Sequence, residues 1–557
     1  MTQAIIREQL REGVRRCSDR GLFHSTKWVS ETLSGLEETE SINIGDYPFL
    51  DMITLKLTEN EIFQEPEVMD KYMLAKSFFD LREFDRCSYA LRNGSDNKSR
   101  FLKLYAKYLS GEKKKEEKNQ DIMGLADEKR ILNENISEIL EDLEPLYLVD
   151  ELDSFCLYLY ALILLKKNLE QKAVDALVKS LNKYPYNWSA WLELSGCMAN
   201  QDALEKVLPQ LNNHFMTKFF VTHTANELHF NSELIQQDLE LLLCLFPGSG
   251  YLKTQKAMNF YNTREFDEAE AIFDELIEND PFRLDNLDTY SNVLYVMEKK
   301  AKLSFLAHNS ACVDKYRPET CCIIGNYFSL KGEHEKAVIH FKRALKLNRK
   351  YLSAWTLMGH EYVEMKNTHA AIEAYRRAVD INTKDYRAWY GLGQTYEVLR
   401  MPYYSLYYYQ RATALRPYDA RMWCALAGCY EILNQDVEAI KCYKRALLGS
   451  ENEVIALNKL GNLYRKLEQQ DTAAYYYHLS LKQRKIQDNH SLDLVETCLF
   501  LAYYEKKRGN FKEAEEYVTE VLQYNGPEKE EAKALLRELR SCMEATNSLE
   551  TPSRTVY

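Results

Sequence analysis

The apolar and small positions of this chain recur every 34 residues through its second half. Gly325, Gly359 and Gly393 form one column, and Phe328, Tyr362, Tyr396, Tyr430 and Tyr464 form another. Ala337 and Ala371, then Ala439 and Ala473, keep the spacing with Ser405 between them. Phe341, Tyr375, Tyr409, Tyr443 and Tyr477 make a second aromatic column, and Ala344, Ala378, Ala412 and Ala446 follow it. Trp355, Trp389 and Trp423 add one more. Inside each period the columns lie three or four residues apart, or multiples of that, which is the spacing of one helix face. Each period therefore predicts two antiparallel amphipathic helices. Small residues sit where the helices approach closely and large ones plug the gaps. Pro417 stands just past a second helix, where it ends it.

The frame extends backward without slipping. Units begin near Met216, Gly250, Leu284, Pro318, Leu352, Tyr386, Ala420 and Val454. A further unit follows an insertion, with Ala502 and Ala514 in their slots. Less regular units start near Ser154 and Trp188, and Met69 to Leu91 reads as another helix pair around Ala75. A 34-residue period carrying W-x2-L-G-x2-Y, A-x3-F and a late Pro is the tetratricopeptide pattern. The expected fold is all-α: a superhelical solenoid of about 13 to 14 helix pairs. Residues 1–68 read as a divergent helical N-terminal region, a cap or an assembly surface. Residues 69–215 read as an N-terminal array, interrupted by a charged stretch at 111–130 that is a solvated loop, a helix extension or a basic docking site. Residues 216–487 carry the eight regular units, 488–540 the last unit and a capping helix, and 541–557 a flexible tail.

Composition agrees with this reading. The 557 residues include 20 Gly and 12 Pro, too few for many loops, and 39 Tyr, many of them in the aromatic columns. The formal net charge of −12 argues against a broad nucleic-acid surface, which needs a basic patch or stripe. The longest apolar run, Phe155 to Leu165, is far short of the roughly 20 residues that span a membrane. The 13 cysteines contain no C-x-x-C and read as reduced, small hydrophobes rather than as disulfides or metal ligands. No phosphate loop and no HExxH occur, and Gly391-Leu392-Gly393 lies inside a predicted first helix with no strand before it. No catalytic residue, cofactor or metal site is expected. In the tail, Thr551-Pro552-Ser553-Arg554 matches the S/T-P-x-K/R pattern of proline-directed kinases, which makes Thr551 a candidate phosphosite.

Function then belongs to the groove that stacked repeats create. Counted from each start, slots two, five, nine, twelve and thirteen share one stripe of the first helix. Slot nine holds Asn292, Asn326, His360, Gln394, Gly428 and Asn462, mostly groups that offer a donor and an acceptor to a peptide backbone. Slot five adds Cys322, Thr356 and Tyr390. Glu319, Glu364 and Glu397 supply acids, with Arg387 and Arg421 nearby. Acids around a polar ladder suit a peptide bearing Arg, because that pairing can be bidentate. The alternative for each residue is an ordinary hydrated position. A chaperone-tail clamp would need Lys around the ladder, and the fifth slots hold none.

Several segments carry more than the repeat consensus. DKYRPETCCIIGNYFSLKGEHEKAVIHFKRALKLN (Asp314 to Asn348), YLSAWTLMGHEYVEMKNTHAAIEAYRRAVDIN (Tyr351 to Asn382) and DYRAWYGLGQTYEVLRMPYYSLYYYQRA (Asp385 to Ala412) closely resemble the subunit-eight, or Cdc-twenty-three, family of the anaphase-promoting complex. RGLFHSTKW (Arg20 to Trp28) and LKLYAKYLSGEKKK (Leu102 to Lys115) resemble the N-terminal part of that family. The resemblance implies a non-catalytic scaffold subunit of a cell-cycle ubiquitin ligase, present in nucleus and cytoplasm. It implies a homodimer formed by the N-terminal repeats. It also implies contacts with other tetratricopeptide subunits and small stabilising subunits, and capture of the basic-aromatic C-box of a WD40 coactivator in the C-terminal groove. A scaffold or co-chaperone of some other assembly is the competing expectation.

Overall fold

The computed structural model describes residues 3–36, 66–94, 96–119, 133–228, 233–449, 454–487, 493–523 and 528–550. Among these, 29 α-helices and one short 3-10 turn occur and no strand does. Most pack in consecutive pairs, from Gln3–Asp19 with Phe23–Ser34 to Asp493–Arg508 with Phe511–Leu522, and Glu528–Glu550 packs on the last of these. The chain divides into two compact units, residues 1–333 and 334–557.

The predicted columns form the core. Ala337, Ala371, Ser405, Ala439 and Ala473 are fully buried, as are Ala344, Ala378, Ala412 and Ala446. Tyr375, Tyr409, Tyr443 and Tyr477 are buried too. A methyl group added at Gly359, Gly393 or Gly461 would stand 2.5 Å from the ring of Tyr375, Tyr409 or Tyr477. These small residues are therefore the seats of the second-helix rings. Within the second unit, neighbouring repeats are bolted by a second contact that also recurs. Arg376 Nη2 donates to the Tyr396 hydroxyl at 2.8 Å and Gln410 Nε2 to the Tyr430 hydroxyl at 3.1 Å. Lys342 and Lys444 instead stand 5.9 and 5.6 Å from the ring centres of Tyr362 and Tyr464. The tryptophan column ties down the turns. Trp355, Trp389 and Trp423 donate their indole N–H to the carbonyls of Arg349, Thr383 and Pro417.

The turn inside each pair repeats as well. Arg264, Glu298 and Gly332 in the first unit, and Lys366, Arg400, Asn434 and Glu468 in the second, all have φ between 55° and 83°. Each ends a first helix in a Schellman arrangement, as where the Met401 N–H reaches the Tyr396 carbonyl and the Arg400 N–H the Glu397 carbonyl. A chain with little glycine thus holds most of these left-handed turns with polar residues.

The first unit contains an arrangement that the periodicity did not announce. Helices Gln3–Asp19 and Phe23–Ser34 pack as a pair, and the second of them lies on the first helices of later repeats. Trp28 stacks on Trp188 at 4.2 Å and meets Phe219 and Tyr251 edge-on. Ser25 Oγ bonds with Asn187 and Ser189, and Lys27 Nζ reaches Asp285 at 2.5 Å. Gly35 passes so close to Ser249 that a side chain there would meet its backbone nitrogen at 2.8 Å. Arg20 is fully buried, with its guanidinium 4.0 Å from the Phe155 ring centre and 3.7 Å from Asp153. The RGLFHSTKW segment is thus an internal fastener.

One expectation is narrowed to one of its alternatives and another is revised. Of the charged stretch, residues 111–119 continue helix Asn97–Asn119, and 120–130 lie outside the described residues. The tail expected to be flexible from 541 instead continues helix Glu528–Glu550, which Leu535 and Leu539 anchor in the core. The Glu-, Lys- and Ala-rich first half of the helix has high propensity, and the helix runs on from it. Thr551 lies outside the described residues.

The ring seats give a stability test with an internal control. Gly393→Ala forces a methyl against the buried Tyr409 ring and should cost about 1–3 kcal/mol. At Gly428 nothing lies within 4 Å, so Gly428→Ala should be neutral or stabilise by up to about 1 kcal/mol through helix propensity. Thermal or denaturant unfolding of both variants checks the pair.

Candidate peptide-binding stripe

The nine predicted stripe residues divide between the two units. Glu319, Cys322 and Asn326 belong to helix Pro318–Leu330 in the first. There Glu319 forms an ion pair with Arg317 at 3.3 Å. Cys322 is fully buried, and burial pushes its thiol well above the ordinary range. Asn326 is 2% exposed and donates to Ser291 Oγ and Asn292 Oδ1, both at 2.8 Å. Slot nine thus faces the first helix of the preceding repeat here, and slot five is buried. Cys322 and Asn326 are packing residues, a correction to their assignment as peptide contacts.

Helices Leu352–Glu364, Tyr386–Val398 and Ala420–Ile432 carry the stripe in the second unit. Thr356 is buried and its hydroxyl bonds to the Leu352 carbonyl and to Asp385 Oδ2, so it too serves the fold. Asp385 caps the next helix through the Arg387 N–H and accepts from Arg387 Nε at 3.1 Å. Asp419 does the same for Arg421. Each stripe arginine is thereby neutralised by its own cap, which leaves the acids to set the local field.

The second-helix tyrosines reach this stripe from beneath. The Tyr375 hydroxyl lies 2.8 Å from His360 Nδ1 and Tyr409 donates to Glu397 at 2.7 Å. Tyr443 donates to Glu431 at 2.6 Å and Tyr477 to Asn462 at 2.5 Å. Tyr390 is partly buried, its ring 5.4 Å from that of Tyr409. Glu364, Gln394 and Glu397 are exposed, and Glu364 and Gln394 have no hydrogen-bond or ionic partner among the described residues. Of the nine predicted residues, these three are open to a ligand together. The charge-led reading passed over Val398 and Ile432, which are 63% and 58% exposed. They occupy slot thirteen, as Glu364 does, so the slot count contained them. The stripe combines acids, one free amide and an exposed apolar row.

Among the described residues no group of His, Cys, Asp and Glu is arranged to hold a metal, and no helix is long and apolar enough to cross a membrane. A stack of helix pairs whose exposed first-helix stripe is acidic, amidic and apolar defines a tetratricopeptide interaction scaffold. Tetratricopeptide models match residues 318–351, 359–398 and 420–448. The model described as "Anaphase promoting complex subunit 8 / Cdc23" matches residues 5–257. The chain is 48% identical to "Anaphase-promoting complex subunit 8" of Arabidopsis thaliana, covering 96% of each chain. It is 42% identical to the protein of that name from Dictyostelium discoideum, covering 96% of this chain and 98% of the other. "Anaphase-promoting complex subunit CDC23" of Saccharomyces cerevisiae is 37% identical over 66% of this chain and 70% of its own. The chain belongs to the anaphase-promoting complex subunit 8/Cdc23 family, whose members are tetratricopeptide subunits rather than enzymes. The crystal structure titled "APC/C hetero-tetramer Cut9-Hcn1" shares the fold, with TM-score 0.55 and 16% identity over 96% of both chains.

His360 provides a pH test. Burial and then Arg387 depress its pKa from 6.5 to about 4, while Asp385 opposes them. Between these values the unfolded chain binds the proton and the folded one does not, so stability falls as pH drops from about 6.5 to 4. His360→Gln should flatten that part of the pH–stability curve, as measured by urea unfolding at several pH values.

Proposed function

We propose that this protein is a structural subunit of an anaphase-promoting complex. Its second-unit stripe holds the C-box of a WD40 coactivator, and its N-terminal repeats form a homodimer with a second copy. The observation that carries the coactivator reading is the open set Glu364, Gln394 and Glu397 beside Val398 and Ile432. Acids on an exposed first-helix stripe suit the Arg residues of a basic-aromatic motif. The exposed apolar row suits its large side chains, and Gln394 can bond to its backbone. Neighbouring tetratricopeptide subunits and small stabilising subunits are the other partners of this reading, and nucleus and cytoplasm its location.

Self-association is supported by a different surface. On helices Pro66–Asp80 and Phe84–Ala90, Met73, Leu74 and Tyr89 are 52%, 53% and 68% exposed, and Leu81 between the helices is 71% exposed. Exposed apolar side chains of this number on two neighbouring helices suit a protein-interaction surface.

The two parts separate by experiment. Glu364→Lys combined with Glu397→Gln keeps an acceptor for Tyr409 while removing the negative field. It should weaken binding of a C-box peptide about tenfold or more with helical content and dimerisation unchanged. Unchanged peptide affinity would refute the assignment. Leu74→Glu with Tyr89→Glu should convert dimers to monomers in sedimentation velocity, whereas persistent dimers would place the interface elsewhere.

A further inference from the structure

The stripe changes sign toward the C-terminal end of the second unit. Slots twelve and thirteen hold Glu397, Val398, Glu431 and Ile432 in the earlier repeats and Arg465 and Lys466 in the next. In the last repeat, with Gly509 as its left-handed turn residue, the same slots hold Lys506 and Lys507. At this basic end the stripe opens into a pocket between helices Val454–Lys466, Asp493–Arg508 and Glu528–Glu550. Arg465, Glu496, Phe500, Tyr503, Lys507 and Glu531 are among its lining residues.

The charges in this pocket are not equally committed. The Arg465 guanidinium lies 3.6 Å from Glu496 and 5.3 Å from the centre of the Phe500 ring. Glu531 accepts from the Tyr503 hydroxyl at 2.9 Å. Around the rim, Lys466 meets Asp436 at 2.8 Å, Lys506 is paired with Glu538, and Arg508 stands 5.4 Å from the Tyr504 ring centre. Lys507 is exposed and has no partner among the described residues. Lys507 is thus a cation without a hydrogen-bond or ionic partner in this lining, and it stands beside an aromatic wall whose Tyr503 is 39% exposed.

We propose that this pocket receives an acidic segment of a partner protein. An aromatic or aliphatic side chain packs on Phe500 and Tyr503, and an Asp or Glu carboxylate two positions along meets Lys507. Glu496 is held by Arg465 and Glu531 already accepts from Tyr503, whereas Lys507 has no partner among the described residues and the rim residues Lys466, Lys506 and Arg508 add positive charge around it. In an extended peptide, side chains two positions apart lie on one face roughly 7 Å from each other, so one segment supplies both groups. The site shares no residue with the coactivator stripe around Glu364, Gln394 and Glu397, and it stands or falls separately.

Fluorescence anisotropy of the full-length chain with a fluorescein-labelled peptide of sequence EEWEE tests the site. Lys507→Glu and Tyr503→Ala, both at exposed positions, should each weaken binding about tenfold. Glu364→Lys should leave it unchanged. The peptide EEAEE should bind more weakly than EEWEE, and KKWKK should not compete. Equal binding of EEWEE by the wild-type, Lys507→Glu and Tyr503→Ala proteins would overturn the proposal, as would competition by KKWKK.

Discussion

The buried second-helix tyrosine is the contact on which the second unit depends. Its ring fills the gap left by a small residue on the facing first helix, so Tyr375, Tyr409 and Tyr477 each fix the approach of one pair. Rings of this size admit one register, because a shift by a single residue would bring a larger side chain against them. The hydroxyl completes the constraint. A buried phenol needs a partner, and in each repeat it finds one on the ligand-facing stripe: His360, Glu397, Glu431 or Asn462. The stripe is therefore anchored by the core at these four positions, and those side chains are held before any ligand arrives, while Glu364 and Gln394 stay without a partner among the described residues. Such preorganisation lowers the entropic cost of binding.

This anchoring also explains how far the sequence was readable. The 34-residue columns specify helix pairing, the buried alanines and the aromatic plugs, because those features depend on local spacing alone. Stripe membership follows from the same count. Which stripe residues remain open does not, because that depends on contacts between helices. Asn326 and Gln394 share a slot, yet one is bonded within the stack to Ser291 and Asn292 and the other is exposed. Thr356 and Tyr390 also share a slot, and only the threonine is drawn to a neighbouring cap. The left-handed turns escaped notice for a different reason. Glycine marks such turns in most sequences, and here Lys366, Arg400, Asn434 and Glu468 take the conformation instead.

The N-terminal helices show the limit of periodicity most clearly. Trp28 and Trp188 are 160 positions apart in the chain, and nothing in a 34-residue frame pairs them. The pairing has a functional consequence. Tyr251 and Asp285 occupy slot two of their repeats, and both are engaged by helix Phe23–Ser34. That edge of the stripe in the first unit is thus covered by the chain itself. The equivalent slots of the second unit carry Arg387, Arg421 and Ile455, and Ile455 is 64% exposed. One repeat architecture therefore presents a self-occupied stripe in one unit and an open one in the other.

The net charge of −12 takes on a local meaning from this arrangement. Cap aspartates neutralise Arg387 and Arg421, so acids prevail along helices Leu352–Glu364 to Ala420–Ile432. Farther along, Lys506 and Lys507 crowd the last turn of helix Asp493–Arg508, where cations are favoured by the helix dipole. The dipole accounts for bases at that end but not for the aromatic wall or for an unpaired ammonium beside it. A stripe that is acidic along one stretch and basic along another discriminates between peptides by charge order as well as by composition. A ligand laid along it in the wrong direction would set like charges together, so polarity alone fixes the orientation of an extended partner.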